Sequence, residues 1–280
     1  MDALPQTTPL REPIALRLGE MSDEDLGALE RAVDALEHPG LAARLTNLVG
    51  KPIELIRHAL PASASDAITT ATSKAIGFAL RTALRTMQHA PQRGSLLLHK
   101  ALATASGAAG GAFGLASLAV ELPVSTVIML RAIADIARDE GEDLSDPETA
   151  LACIQVFALG GRAGSDDAAE SGYFAVRGLL AKSVSEAARF VAERGFIAEG
   201  APVLVRFMTQ VASRFGVVVT QKVAAQTLPV VGALGGAAVN FAFIEHFQDV
   251  ARGHFTVRRL ERRYGKHAVE AEYERLARRG

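Results

Sequence analysis

The sequence has few aromatic residues and no tryptophan. Only 5% of its 280 residues are aromatic, whereas 49% are hydrophobic, and glycine is frequent with 25 residues. The apolar side chains are therefore mainly Ala, Leu and Val, which favour helices packed through small residues over sheets of β-branched and aromatic strands. No segment alternates like a strand, and no Asn-Gly or Asp-Gly hairpin turn occurs. The sequence predicts an all-α fold, a single large multi-helix bundle.

Cysteine is nearly absent too. Cys153 stands alone, so no disulfide can form within the chain, which is typical of a reducing compartment. Its apolar helical surroundings predict a buried, unreactive thiol. The N-terminal stretch MDALPQTTPLREP contains an early acid and three prolines but no apolar segment of a signal peptide. The sequence therefore predicts a cytoplasmic protein.

Motifs of the common catalytic classes are missing as well. The chain has no nucleophile elbow, zinc-protease motif, P-loop or dinucleotide-binding motif. Its seven histidines do not cluster at metal-ligand spacing. The sequence predicts no cofactor and no resident metal, and it leaves the question of an enzyme open, leaning towards none.

What the sequence does contain is a separation of charge beneath a net charge of −1. Residues 1–39 hold three Arg against nine acidic residues, whereas residues 252–280 hold nine Lys or Arg against four acidic residues. The basic end either pairs with the acidic end of the same molecule, forms a solvated face, or meets an anionic membrane. Nucleic-acid binding is disfavoured, because the basic stretch is short and has few aromatic residues.

Helical periodicity and capping residues divide the chain into predicted helices. These cover residues 22–37, 41–49, a helix that follows Pro52, and residues 64–89, 123–140, 147–159, 172–194, 202–226 and 229–264, with a charged terminal helix after them and a kink or break expected at Gly253. Residues 1–62 are predicted to form an acidic region of short helices, and residues 63–280 the main helical domain. The glycine-rich stretch 160–170 is a possible seam.

Two charge-free segments, Ala101–Val120 and Val223–Ile244, are predicted to form the two central Gly/Ala-rich apolar helices. Each is long enough to cross a bilayer, but Ala and Gly add little favourable transfer energy. Glycines four residues apart let another helix approach closely. The pair either packs inside a soluble core or inserts conditionally into a membrane. The glycines concerned are Gly107, Gly110, Gly111, Gly114, Gly232, Gly235 and Gly236.

Ionisable residues crowd the end of the second segment. Glu245 and Asp249 share a helix face, and two like charges there require a cation between them. Arg252 or Arg131 would serve, and so would a metal bound together with His246.

The patterns IADIAR (133–138) and FQDVAR (247–252) are alike, which predicts two helices that present matched Asp and Arg side chains to each other. This network is either a set of buried ion pairs, a ligand or gating site, or a catalytic site. Its predicted members are Glu121, Arg131, Asp135, Asn240, Glu245, His246, Asp249 and Arg252.

Four arginines surround an apolar stripe near the C-terminus. This basic amphipathic pattern suits a helix that lies on an anionic lipid surface, and equally one whose arginine stems cover the domain's own apolar surface. The arginines are Arg258, Arg259, Arg262 and Arg263.

Two long stretches carry a family resemblance. ELPVSTVIMLRAIADIARDEGEDLSDPETALACIQVFALGG and LPVVGALGGAAVNFAFIEHFQDVARGHFTVRRLERRYG resemble the EcsC family of bacterial proteins. The resemblance covers roughly residues 75–265 and is weaker over the acidic N-terminal region. It implies an α-helical protein, cytoplasmic or peripheral at the inner membrane, with an accessory role near a transporter linked to secretion. It implies no catalytic residues.

Three functions are compatible with these features. The first is a non-enzymatic cytoplasmic or peripheral-membrane protein that binds a lipid or apolar ligand, or that assists a membrane transport or secretion system. The alternative is a hydrolase that uses Glu245, His246 and Asp249, with or without a metal. The third is a soluble interaction module with a self-satisfied core. An anionic membrane or a membrane transporter is the predicted partner.

Overall fold

The described part of the chain is entirely helical. A computed structural model describes residues 21–38, 40–50, 62–86, 118–161, 172–194, 201–226 and 232–279, and within these ranges it has nine helices and no strand. The all-α prediction is therefore confirmed. The helices are α1 (Asp23–Glu37), α2 (Leu41–Val49), α3 (Ala62–Thr86), α4 (Leu118–Asp139), α5 (Pro147–Leu159), α6 (Tyr173–Arg194), α7 (Pro202–Gln226), α8 (Gly232–Tyr264) and α9 (Lys266–Ala277).

Capping residues begin several helices where the sequence predicts. The Ser22 side chain accepts a hydrogen bond from the Asp25 backbone N–H at the start of α1. Asp146 accepts from the Glu148 N–H, and Pro147 occupies the first position of α5. Each cap satisfies a backbone donor that a helix start leaves without a partner.

The core is built around α5, α7 and α8. All of α5 from Thr149 to Leu159 is buried, which explains why its apolar residues show no one-sided pattern. Phe157, Phe215, Phe243 and Phe247 form an aromatic cluster with ring centroids 5.0 to 6.0 Å apart. Four interlocking rings join three helices that are distant in sequence.

Helix α8 runs unbroken for 33 residues and contacts α1, α2, α4, α5, α7 and α9. The kink or break predicted at Gly253 is therefore wrong. A Cβ at this position would lie 2.8 Å from Leu36 Cγ and 3.2 Å from the Ala32 carbonyl oxygen. Gly253 thus serves close packing of α1 on α8 rather than a change of chain direction.

The predicted membrane segments are placed only in part. Residues 101–117, with Gly107, Gly110, Gly111 and Gly114, lie outside the described residues, and so does most of the possible seam at 160–170. The segment Val223–Ile244 is shared between the end of α7 and the start of α8. In that start, Gly235 is half-buried and Gly236 is buried.

Among the described helices, α7 alone has the length and apolar composition of a membrane-spanning helix. Its most apolar window has a mean hydropathy of 1.3, and 39% of that window is buried within the chain. The helix packs on α3, α5 and α6. A core helix of a soluble protein meets the same criteria, so this finding assigns no membrane span.

Candidate ligand-binding site

A half-open cleft of about 460 Å³ lies where α1 and α2 meet the middle of α8. Its volume falls within the range of small-molecule sites. Small residues leave the space open, and charged residues line it. The lining residues are Ala28, Arg31, Ala32, Asp34, Ala35, His38, Gly40, Arg44, Glu140, His246, Asp249, Arg252, Gly253, Thr256 and Arg259.

The cation that separates Glu245 from Asp249 is Arg44, which arrives from α2. Arg44 Nη2 donates to Asp249 Oδ2 at 2.9 Å, and Nη1 donates to Glu245 Oε2 at 3.4 Å. Arg252 Nη1 donates to the other oxygen of Asp249 at 2.8 Å. The two carboxylates are thereby compensated by arginines, one of which comes from a helix that is distant in sequence.

His246 is buried at the inner wall of the cleft with a fixed ring. Its Nε2 lies 3.0 Å from the Gly160 carbonyl oxygen, and its ring packs edge-on against Phe247. Because a carbonyl only accepts, Nε2 carries the hydrogen and Nδ1 carries a lone pair. Burial, aided by the positive charge of Arg44, lowers the pKa of His246 to about 4. The side chain is therefore neutral at pH 7.

Two positive features of the cleft form no ion pair within the described part of the chain, and the exposed Asp34, 3.7 Å from His38, is the carboxylate of the same helix α1 that lines the cleft. Arg31 on α1 is exposed at the rim and forms no ion pair there. Helix α2 begins at Gly40, which has no side chain to cap the N–H groups of the first turn. The start of a helix carries a partial positive charge, so these N–H groups attract an anion.

The arrangement gives little support to the prediction of a hydrolase. Glu245 and Asp249 both face Arg44, and the Nε2 of His246 is committed to a backbone carbonyl. Within the described ranges, no group of three or more His, Cys, Asp or Glu side chains is placed to hold a metal ion. Burial raises the pKa of the Cys153 thiol far above its ordinary value, as expected for an unreactive core residue.

Glu121, which was assigned to the same network, lies elsewhere and has a different partner. Lys222 Nζ donates to Glu121 Oε1 at 2.7 Å, and the side chains of this lysine and this glutamate are 0% and 4% exposed. The ammonium also lies 4.8 Å from the centre of the Phe243 ring. This is a sealed ion pair in the core, where a single charge without its partner would be costly.

The predicted Asp–Arg patterns pair within their own helices. Asp135 accepts from Arg138 at 3.1 Å, and Asp249 accepts from Arg252 at 2.8 Å. A spacing of three residues places these side chains together on one helix face, so each Asp meets the Arg of its own motif, and Asp249 meets Arg44 of α2 as well. Arg131 is exposed on α4. Asn240 is fully buried on α8.

The four C-terminal arginines are bound to carboxylates of the same chain. Asp25 accepts from Arg259, Arg263 and Tyr264 at 2.8 to 2.9 Å. Burial raises the pKa of Asp25, but hydrogen bonds from Tyr264 and Arg259 outweigh burial and hold this pKa below its usual value. The acidic and basic ends of the chain therefore pair with each other here, which is one of the interpretations that the charge separation left open.

The turn after α4 supplies the remaining acids. Glu140 accepts from Arg259 at 2.7 Å. Glu142 accepts from Arg258 at 2.8 and 3.1 Å and also from Arg262. We call these four arginines with Asp25, Glu140 and Glu142 the arginine network. Its charges are compensated internally, which leaves less of them for a lipid surface.

Arg44, Arg31 and Asp25 were not recognised in the sequence as members of a site. Each lies on α1 or α2, near the N-terminus, whereas the residues that they approach or face lie on α8. The opposite charge of the two ends of the chain pointed to Asp25, and no sequence feature pointed to Arg31 or Arg44.

Comparison with known proteins gives one match. The sequence model of the EcsC protein family matches residues 23–260. The match includes α1 and α2, so the weaker resemblance noted over the acidic N-terminal region does not mark the edge of the family region. No curated protein and no solved structure matches the chain. Because the match spans most of its length, the chain belongs to the EcsC protein family.

Proposed function

We propose that this protein is a non-catalytic binding protein and that the cleft between α1, α2 and α8 takes a small anionic ligand. The observation that carries the proposal is that Arg31 lines the cleft without an ion pair in the described part of the chain, beside Gly40 at the uncapped start of α2. Glu245 and Asp249 are compensated by Arg44 and Arg252, and Asp34, the other exposed carboxylate of the lining, lies 3.7 Å from His38.

The ligand is held by charge and hydrogen bonds rather than by apolar contact. The lining includes four arginines, three carboxylates, alanines and glycines, and among the described residues no large apolar side chain lines the cleft. This favours a polar anion over the apolar ligand that the sequence suggested. A lipid is also compatible with the cleft, because its charged headgroup would bind there. The location at the inner membrane and the role beside a transporter remain predictions.

Methyl phosphate is a suitable first probe, because it presents a phosphate dianion and little else. We expect isothermal titration to detect its binding at low ionic strength. Replacing Arg31→Gln should weaken binding about tenfold, since a hydrogen bond between charged groups contributes roughly that much. Arg189→Gln, an exposed arginine of α6, is the matched control and should leave the affinity unchanged.

Two results would contradict the proposal. One is no measurable binding of methyl phosphate to the wild-type protein. The other is equal weakening by Arg31→Gln and Arg189→Gln, which would indicate general attraction to positive charge rather than a site.

A further inference from the structure

The chemistry of the ligand can be read from the cleft groups that the protein itself leaves unsatisfied. A group already engaged in an internal ion pair gains little from a ligand, whereas an unsatisfied group gains a full interaction. Arg31 and the first-turn N–H groups of α2 are donors without acceptors in the described part of the chain. They require a negative acceptor.

His246 Nδ1 is the unsatisfied group of opposite kind. The ring lines the cleft and is 3% exposed. Its Nε2–H is fixed on the Gly160 carbonyl, and Nδ1 has no hydrogen bond within the ranges that the structure describes. It therefore offers a lone pair that accepts a hydrogen bond from a ligand O–H or N–H.

The charged side chains beside this nitrogen keep it an acceptor. Arg44 is the nearest cation and Asp249 the nearest carboxylate, and these two engage each other at 2.9 Å. Neither is free to protonate or to fill the position at Nδ1. The dianion of a simple monoester such as methyl phosphate carries no donor for this position, so it would satisfy only half of the site.

We propose that the ligand is a phosphate ester with a free hydroxyl close to the phosphate, as in glycerol 3-phosphate. This rests on the proposed function and specifies its ligand. The phosphate accepts from Arg31 and from the start of α2, and the hydroxyl donates to His246 Nδ1. A cleft of about 460 Å³ accommodates a molecule of this size. The same chemistry occurs in soluble polyol phosphates and in the headgroup of phosphatidylglycerol.

The test compares two phosphate monoesters of equal charge. Isothermal titration of the wild-type protein should show that glycerol 3-phosphate binds roughly three- to tenfold more tightly than methyl phosphate, the gain expected for one hydrogen bond. In His246→Gln the side-chain amide can still donate to the Gly160 carbonyl but offers no acceptor at the position of Nδ1. The ratio of the two affinities should then fall to about one.

The outcomes separate this inference from the proposed function. Equal affinity of the wild-type protein for the two esters would overturn the hydroxyl requirement and leave the anion site standing. Binding of neither ester would overturn both. The wild-type comparison needs no variant, so a folding defect in His246→Gln, detected by circular dichroism, would not rescue the inference.

Vesicles distinguish the two sources of the ligand. Phosphatidylglycerol and phosphatidylmethanol carry equal net charge, but only the first has a headgroup hydroxyl, and the second has no other hydrogen-bond donor. Co-sedimentation with the first alone, weakened by His246→Gln, would support the inference with a lipid headgroup as the source. Tight binding of glycerol 3-phosphate without co-sedimentation would support it with a soluble ester. Equal co-sedimentation with both lipids, insensitive to His246→Gln, would contradict a headgroup site.

Discussion

The two halves of α8 use the same kinds of residue for opposite purposes. In the arginine network, the carboxylates of Asp25 and Glu142 are 5% exposed and each accepts from at least two donors. In the cleft, the side chains of Asp249, Arg44 and Arg252 are 31%, 41% and 46% exposed. Ion pairs at the surface contribute little to stability, whereas breaking buried ones is costly. We therefore expect the arginine network to stabilise the fold, and we expect the cleft to keep groups available for a ligand.

The local packing explains why one region is closed. Arg258, Arg259, Arg262 and Arg263 meet acids from both α1 and the turn after α4. In the cleft, α1 approaches α8 closely at Gly253, and the short α2 contributes Arg44 alone among the charged lining residues. The cleft therefore keeps open space, and Arg31 at its rim has no ion pair in the described part of the chain.

The largest expected effect comes from pH, because each region contains a buried neutral histidine. Burial lowers the pKa of His246 to about 4 and, aided by the nearby Arg177 and Arg258, lowers that of His254 well below its ordinary value. The unfolded chain binds these protons near pH 6.5, so stability falls as pH decreases. Between pH 6.5 and 4.5 His246 should remove roughly 2 kcal/mol of stability, and His254 should add a further loss in the same direction.

Guanidinium denaturation at pH 7.5, 6.5, 5.5 and 4.5 checks this. His246→Gln should remove the part of the pH dependence of the free energy of unfolding that comes from His246. A free energy of unfolding that stays constant from pH 6.5 to 4.5 would show that the two buried histidines are not held neutral.

The next effect is the loss of the acid at the centre of the arginine network. Asp25→Asn removes the charge that faces Arg259 and Arg263, which should lower the free energy of unfolding by about 2–3 kcal/mol, a value reduced for the partial exposure of the guanidiniums. Asp66→Asn, on the exposed face of α3, is the control and should have little effect. Affinity for methyl phosphate should not fall, because Arg259, which also lines the cleft, keeps Glu140 as a partner, and a large loss of affinity would mean that the network belongs to the site.

The corresponding change in the cleft should cost less and alter binding. Asp249→Asn frees Arg44 and Arg252 from one carboxylate, with a loss of about 1 kcal/mol in stability. Methyl phosphate should bind several-fold more tightly, because a nearby negative charge is gone. Weaker binding of methyl phosphate would contradict this prediction, because the loss of a nearby negative charge should favour an anion.

Most of the helices follow from the sequence. Capping residues such as Ser22, Asp146 and Pro147 act through atoms a few positions away, so their effect is visible locally. Gly253 shows the limit of local reasoning. A glycine in a helix suggests a break, and only the approach of Leu36 from α1 reveals that it permits close packing.

The site was predictable only on the α8 side. Glu245, His246, Asp249 and Arg252 stand out because charges follow an apolar stretch. Arg44 and Lys222, which neutralise Asp249 and Glu121, lie 205 and 101 residues from them. A charge pattern shows that a buried carboxylate requires a cation, but many arginines in the chain meet that requirement equally well until the fold is known.

The most direct test of the distinction between the two halves of α8 measures methyl phosphate affinity and the free energy of unfolding on Arg31→Gln and Asp25→Asn in parallel. We predict that Arg31→Gln keeps its stability within about 0.5 kcal/mol of the wild-type value and binds about tenfold more weakly. Asp25→Asn should lose stability and keep its affinity. Variants that lose both properties together, or that exchange these two outcomes, would contradict the assignment of the cleft to binding and of the network to the fold.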